Sequence, residues 1–421
     1  MIKYSKILCI NSFYSSASIS IGKVLSNKVD ALITDLGYLV YLRGASKIDF
    51  YSSNNSIDQD YCKQINPSML ADLKYIYLNG KVIASNNINS DILKPEINRW
   101  YYFLLNYLVK NEIECVIIHN KYRWINSVVL KVCKEIGIDC LVLERGYYRP
   151  LTTTYEYWSS KENAYIYPFK KISKEFLTYG AESRSTLFFS FYMYFSFFVF
   201  LLLNKIGNLF DFGLKIPERD FSIRKYTLAL LSKFSNISQN FTFLENKKII
   251  LVALQLDTDS NFVIYSGFKT LQDYIYYVIS SYEKIQKTLD DRYELVFKFH
   301  PEQLNSDKIS TGNYRSILKI KNILQLENNI NIFLTVNSTY TTKFIESDKK
   351  IICISGCAFD IPGLTHSYNS TNLSEIINSV ISIYIKKNEC SVEIFDNLNK
   401  NQIGFDLFDY SKSNLISCLN V

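Results

Sequence analysis

The chain reads as an α/β protein of two domains, each built on a parallel sheet with helices on its faces. Three observations predict this. Short apolar runs alternate with helix-length segments over short connections, the rhythm of a parallel sheet. That rhythm stops near residue 180 and restarts near residue 241. Finally, the three histidines, His119, His300 and His366, each fall at or just beyond the end of an apolar run, where buried strands deliver their loops and where open α/β folds bind ligands. At 421 residues the chain is long for one core and suits two domains with a cleft between them.

Taken in order, residues 5–11 read as a first strand, 31–34 as a second and 98–110 as an amphipathic helix. A strand over 115–119, a helix over 126–136 and a strand over 140–144 follow, the last ending in Arg145-Gly146. After a basic, irregular stretch over 205–240, the pattern resumes with a strand at 248–256, a helix at 270–289 and a strand at 294–299. It closes with a strand at 332–336, a helix at 341–346 and a strand at 351–354. The expected organisation is a Rossmann-like domain over 1–180, an aromatic and basic segment and linker over 181–240, a second Rossmann-like domain over 241–390, and a tail over 391–421 read as a helix returning to the first domain. No internal repeat is present.

Residues 187–203 (LFFSFYMYFSFFVFLLL) carry no charge and are rich in Phe and Tyr. Seventeen residues are at the short limit for crossing a bilayer. A membrane-interface helix with its aromatics at headgroup depth, a buried core helix and a true span all fit; the first is preferred, because a span would separate motifs that share one cleft.

Forty-seven Lys+Arg against 40 Asp+Glu give a net charge of +7, with no long basic block. That balance suits an anionic ligand or membrane face rather than nucleic acid. Nine cysteines without a CxxC pair, several inside apolar runs, read as free thiols of a reducing compartment, so a cytoplasmic protein is expected. Cys353 and Cys357 are the closest pair, but no His/Cys cluster accompanies them, and no metal site is expected.

The candidate chemistry sits at strand ends. Lys298 and His300 end one strand, stopped by Pro301, and ammonium plus imidazole there suit a phosphate. Asn337, Ser338 and Thr339 follow the next strand just ahead of a helix, whose N-terminus offers free N–H groups; a plain N-cap is the alternative. Gly363 and His366 lie in a Gly-containing turn after a third strand. In the first domain, Glu144, Arg145, Gly146, Arg149 and Glu156 bring two acids, two guanidinium forks and a glycine turn together after a strand; a surface salt bridge is the alternative.

ERGYYRP (144–150) with Glu156, LQLDTDSN (254–261, containing Gln255 and Asp259) with Ser266, then KFHP, TVNST and SGCAFDIPGLTH, resemble in order and spacing the bacterial capsule polysaccharide biosynthesis proteins of the KpsS type, which are β-Kdo glycosyltransferases. The resemblance runs from about residue 115 to 366. It implies a GT-B-like architecture, an acceptor-side first domain and a nucleotide-sugar second domain. It also implies CMP-Kdo as donor substrate, no cofactor and no catalytic metal. Transfer of Kdo, with retention, goes to a phosphatidylglycerol-type lipid or to Kdo already on it. The enzyme is then peripheral on the inner face of the cytoplasmic membrane, with other capsule assembly proteins as partners and no nucleic acid.

By the same resemblance His300 and Pro301 contact the cytidine nucleotide, and Asn337, Ser338 and Thr339 hold phosphate. Gln255, Asp259 and Ser266 face the cleft, as do Arg145 and Gly146. Glu144, Glu156 and Arg149 are the catalytic candidates. The family's acidic motif reads acid-acid-Gly-aromatic-X-Arg; here Arg145 stands at the second acid. Glu144 or Glu156 takes over its role, or the chain transfers another sugar or none. Two alternatives stay open: a CDP-polyol phosphotransferase of the teichoic-acid type, and a catalytically inactive scaffold of capsule assembly.

Overall fold

The computed structural model describes residues 3–11, 17–42, 45–49, 75–78, 81–84, 90–147, 153–169, 187–210, 247–256, 259–289, 292–300, 303, 308–318, 323–345, 347, 349–382 and 402–403. The chain divides into two compact units, Met1–Ser222 with Leu398–Val421 and Ile223–Asn397. Each carries its own parallel-rich sheet, which is the domain content of a GT-B-like α/β protein.

The first unit contains β1 (Ile7–Ile10), α1 (Ala17–Leu25), β2 (Val29–Ile33), a 3-10 turn (Leu36–Tyr41), β3 (Ser46–Asp49), the hairpin β4 (Tyr75–Leu78) and β5 (Lys81–Ala84), and α2 (Ser90–Lys110). Next come β6 (Cys115–His119), α3 (Trp124–Ile136), β7 (Asp139–Arg145), β8 (Thr153–Ser159), β9 (Ala164–Ile166) and α4 (Leu187–Leu209). The second unit holds β10 (Lys248–Ala253), α5 (Ser260–Tyr265), α6 (Leu271–Gln286), β11 (Tyr293–Lys298), β12 (Arg315–Ile317), α7 (Ile323–Asn329), β13 (Ile330–Thr335), α8 (Thr342–Ile345), β14 (Lys350–Ile354), β15 (His366–Tyr368) and α9 (Leu373–Ser382). The strand β16 (Gln402–Ile403) belongs again to the first unit.

In the first sheet the order is β16-β8-β7-β6-β1-β2-β3, with β9 also on β8. From β3 to β7 every pairing is parallel, whereas β8 runs antiparallel to β7, β9 and β16. The all-parallel expectation fails at this edge because the connection after β7 is too short for the crossover that a parallel partner needs. Period-two alternation splits the strands between two cores. Leu8, Ile10, Val116, Ile118 and Val142 face α2 and α3, packing with Trp100, Trp124 and Val128. Ile7, Cys9, Cys115, Ile117, Leu141 and Leu143 face α1, with Tyr155 and Tyr157. Helix α3 ends where Gly137 adopts φ 69° and donates its N–H to the Cys133 carbonyl, a conformation that glycine reaches without strain.

Helix α2 starts at Ser90, well before the expected 98, and runs through Pro95. Helix α1 and the strands β8 and β9 were not anticipated. Most of the expected returning tail lies outside the described residues; β16 within it pairs with the first half of β8, Gln402 opposite Thr154 and Ile403 opposite Thr153.

Helix α4 lies on the 3-10 turn. Phe200, fully buried, meets Tyr38 edge-on at 5.2 Å and Tyr41 at 5.9 Å. A Cβ on Gly37 would stand 2.8 Å from both the Phe200 ring and its carbonyl oxygen, so only glycine permits this approach. Ser196, Phe200, Leu201 and Asn204 are buried, while Phe195, Phe198, Leu202, Ile206 and Leu209 form an exposed apolar stripe. No helix among the described residues is long and apolar enough to cross a membrane.

At the amino end of β7, Asp139 accepts from Tyr4 at 2.7 Å, from Tyr157 at 2.5 Å, and from the Ser160 N–H and hydroxyl at 2.7 and 2.8 Å. Burial alone would raise its pKa, but the donated hydrogen bonds outweigh it and hold the carboxyl below its usual value. A depressed folded-state pKa contributes stability that is present above the unfolded value and lost as pH falls through the folded one. Asp139→Asn is therefore expected to lower the midpoint of urea unfolding at neutral pH and to flatten the loss of stability on acidification below about pH 4. Parallel acid profiles of the two proteins would count against this role.

The second sheet is parallel throughout, in the order β12-β11-β10-β13-β14-β15. Its central strands are dominated by buried apolar residues, as expected of strands covered on both faces. Helix α6 opens with a reciprocal capping box between Thr270 and Asp273, and its buried Tyr274 meets the Tyr368 hydroxyl of β15 at 2.9 Å.

Candidate functional site

The strands β11, β10, β13 and β14 lie side by side and parallel, so the loops after Lys298, Ala253, Thr335 and Ile354 leave one edge of the sheet. Lys298 pairs in register with Ala253, and Ala253 with Thr335, which puts the three on one face. Ala253 leaves the Lys298 stem room to cross it. The ammonium stands 5.1 Å from the centre of the Tyr340 ring, and Lys343 stands 5.2 Å from the same ring. Lys343 has a carboxylate at 2.9 Å in Glu327, which also accepts from the Tyr340 hydroxyl. Lys298 has no carboxylate partner among the described residues. Burial and then the Lys343 charge lower its pKa, against a weaker opposing pull from Glu327. The site thus stores positive charge that an anion would relieve.

Gln255, just after β10, donates through Nε2 to the Asn337 carbonyl at 3.0 Å. Among the described residues its own Oε1 and the Asn337 Oδ1 are buried without a hydrogen-bond donor, as is the Oε1 of Gln303 two residues past Pro301. Buried acceptors are normally satisfied, and such orphans mark a place for a donor from a ligand or water. Ser338 caps the turn that follows, its hydroxyl accepting from the Tyr340 N–H at 3.2 Å, and the Thr339 carbonyl accepts from the Thr342 hydroxyl at 2.9 Å. The N-cap reading of Ser338 is therefore realised in full. His300, half-buried, opens the next loop, with its carbonyl accepting from the Gln303 N–H at 2.9 Å.

Other expected residues fall elsewhere. His366 begins β15 and pairs with Ile352, two residues before the end of β14. Burial and the nearby Lys350, the first residue of β14, lower its pKa. It therefore stands level with Leu334, one residue short of the carboxyl edge, and two strands across from β13, because the loop after β14 returns before β15 starts. Gly363, at φ 79°, serves a turn in that loop. Asp259 caps α5, accepting from the Asn261 N–H at 2.9 Å. Ser266 accepts from the Phe268 N–H at 3.1 Å where α5 ends. Both side chains thus hold local turns. Pro301 and Arg149 lie outside the described residues.

In the first unit Glu144 pairs with Thr154 and Val142 with Glu156, so Glu144 and Glu156 share one face as diagonal neighbours, about 7–8 Å apart by strand geometry. Arg145 pairs with Thr153 and points to the other face. Gly146 is buried directly after β7. Glu156 is held by Lys121, whose ammonium reaches both carboxylate oxygens at 2.7 and 2.6 Å. Sequence reasoning missed Lys121; its signal is a cation two residues past the strand that ends at His119. Lys343 and Tyr340 were missed as well, although they stand three apart where a helix begins after TVNST. Among the described residues no cluster of three or more His, Cys, Asp or Glu could hold a metal ion.

Residues 232–375 match the family model described as "Capsule polysaccharide biosynthesis protein". The match lies within the second unit, covers most of it, and spans about a third of the chain. No curated protein matches the chain. Among solved structures the chain is similar to "Thermosulfurimonas dismutans KpsC, beta Kdo 2,7 transferase", at 12% identity over 78% of this chain and 96% of that one, with a TM-score of 0.35. It is similar to "Thermosulfurimonas dismutans KpsC, beta Kdo 2,4 transferase" at 13% identity over 73% and 87%, with a TM-score of 0.38. A UDP-GlcNAc 2-epimerase from Neisseria meningitidis bound to UDP-GlcNAc stands alongside at 12% identity over 98% and 97%, TM-score 0.33. Likeness at this level assigns no activity.

Proposed function

We propose that this chain, whose second unit matches the capsule polysaccharide biosynthesis family, is a glycosyltransferase that takes Kdo or a related acidic sugar from its CMP conjugate and passes it to a lipid or Kdo-lipid acceptor. The observation that carries the reading is Lys298: an ammonium, mostly buried and without a carboxylate among the described residues, at the edge where four parallel strands end. An anionic donor supplies the missing counter-charge, with His300 and the side chains of Ser338 and Thr339 in the flanking loops. The orphaned Gln255 and Asn337 oxygens suit the donors of a nucleotide, such as an exocyclic amine or ribose hydroxyls. Arg149 and Pro301 keep the roles their resemblance implies.

Glu144 is the carboxylate assigned to the transfer step. In a retaining reaction it attacks the anomeric carbon as the bond to the CMP phosphate breaks; CMP leaves, and the acceptor hydroxyl then displaces the carboxylate and gives up its proton. A second reading, a nucleotide-binding scaffold that transfers nothing, is favoured by Arg145 at the second acid of the motif. Incubation with CMP-Kdo generated in situ and a fluorescent phosphatidylglycerol analogue separates the two. A product heavier by one Kdo, absent with Glu144→Gln, supports the transferase. CMP binding that depends on Lys298 without any product leaves the scaffold.

The exposed stripe of α4 suits the interface of an anionic membrane at the inner face, where a lipid acceptor would be met. Phe195→Asp/Phe198→Asp is expected to leave the melting temperature within about a degree, since both side chains are exposed, and to cut co-sedimentation with phosphatidylglycerol vesicles several-fold. Equal sedimentation of both proteins would remove the interfacial role.

A further inference from the structure

The face of the first sheet that carries Glu144 and Glu156 continues past the helices that cover it. Trp158, two residues beyond Glu156 and on the same face, sits at the rim of the core with α2 and α3. It pairs with Tyr165 of β9, and Tyr167 follows one residue past that strand, its ring 6.0 Å from that of Tyr155 at the edge of the sheet. There the cover ends: Tyr165 is 36% and Tyr167 40% exposed. Two cations reach over this strip from the covered side. Lys121 lies 6.0 Å from the Tyr165 ring and 5.4 Å from that of Tyr122, and Lys134 of α3 lies 5.0 Å from Tyr165 and 4.4 Å from Trp158. The Tyr167 phenol is raised by burial and the Glu156 charge and lowered by Lys121, so all three groups are close.

We infer that this strip, formed by Lys121, Glu156, Tyr165 and Tyr167, is a saccharide-binding subsite. A sugar ring has an apolar C–H face and a rim of hydroxyls. The strip offers the complement: exposed amphipathic rings beside a carboxylate that accepts and an ammonium that donates. Two of the three ammonium N–H groups of Lys121 go to Glu156, which leaves the third for a ligand oxygen. Holding Glu156 by both oxygens fixes its geometry before any sugar arrives, so that binding does not have to order it. It also removes Glu156 from the role of nucleophile, because a carboxylate neutralised by ammonium attacks poorly; Glu156 binds rather than reacts. The strip balances Lys121 and Lys134 against Glu144 and Glu156, and so lacks the excess positive charge that an anionic lipid surface would select.

The inference borrows from the proposed function only the identity of the sugar as an acceptor, and binding is measured without turnover. The full chain is titrated with three probes: free Kdo, its methyl glycoside and neutral maltotriose. Binding is read by saturation-transfer NMR and by the fluorescence of Trp158, which lies 5.4 Å from Tyr165. Millimolar binding of at least one probe, weakened more than tenfold by Tyr167→Ala and by Lys121→Met but restored by Tyr167→Phe, is the expected result. Lys298→Met should leave this binding unchanged, and Tyr167→Ala should leave CMP binding unchanged, so that the subsite and the nucleotide site fail separately. Preference for Kdo over maltotriose identifies an acidic sugar, and equal binding a neutral one. No binding of any probe to the native chain, or binding indifferent to both substitutions, overturns the inference. Tyr167 is exposed, so its loss of binding cannot be put down to unfolding.

Discussion

Lys298→Met weakens CMP binding roughly 10- to 100-fold, the worth of a charge-assisted hydrogen bond of about 1.5–3 kcal/mol, and at the same time makes the free protein more stable. The two effects share one cause. In the free chain the Lys298 ammonium is mostly buried, and its charged neighbours among the described residues are Lys343 and the already engaged Glu327. Methionine keeps the length of the stem and removes the desolvated charge, for a gain of about 1 kcal/mol, offset in part because the attraction between the ammonium and the Tyr340 ring goes with it. The sign of the pH dependence follows. A bound phosphate favours the ammonium, so binding takes up a proton at alkaline pH and affinity falls as pH rises through the lowered Lys298 pKa. Calorimetric titration with CMP from neutral to alkaline pH reads the slope, and Lys298→Met should abolish it. A variant that binds CMP as well as the native chain would detach Lys298 from the nucleotide.

Phe200→Ala is the substitution with the largest expected cost to stability, about 3–5 kcal/mol if the space it leaves does not collapse. Its ring fills the place between Tyr38 and Tyr41 and touches the turn at Gly37. Gly37→Val approaches the same junction from the other side: the new side chain meets the Phe200 backbone carbonyl, which cannot swing away, so the helix or the turn must shift. Chemical unfolding of both variants should show destabilisation well above that of Phe198→Ala on the exposed side of the same helix. If all three cost the same, helix α4 is not anchored where the structure has it.

Much of this architecture is written in local patterns. The runs at 115–119, 248–253 and 330–335 are dominated by apolar residues, and a strand buried on both faces reads that way whatever surrounds it. Helix α6 was legible because Thr270 and Asp273 cap it and its apolar residues recur with helical spacing. The antiparallel edge was not. Tyr155 and Tyr157 alternate with Thr154 and Glu156, but polar and aromatic residues fill both sets, since one side faces a core and the other carries the Lys121 pair. At the candidate site the strand-end positions of Lys298, Gln255 and Asn337 are legible because a loop that follows a buried strand has a known place. His366 reads as a loop residue for the same reason: the apolar run before it ends in a loop, and nothing local says that the residue opens the next strand instead. Lys121 and Lys343 gain their meaning from Glu156 and Glu327, partners 35 and 16 positions away, which no local pattern reveals.

The short pairing of β16 with β8 sets an order of assembly. Residues 402–403 leave the ribosome after the whole second unit, yet their partners, Thr153 and Thr154, belong to the first. During synthesis the first half of β8 therefore waits with its outer backbone groups open while the entire second unit is added, which keeps that edge available to another chain for the whole interval. Ribosomes stalled just before residue 398 should hold a nascent chain whose first unit is compact but more prone to aggregate than the released protein.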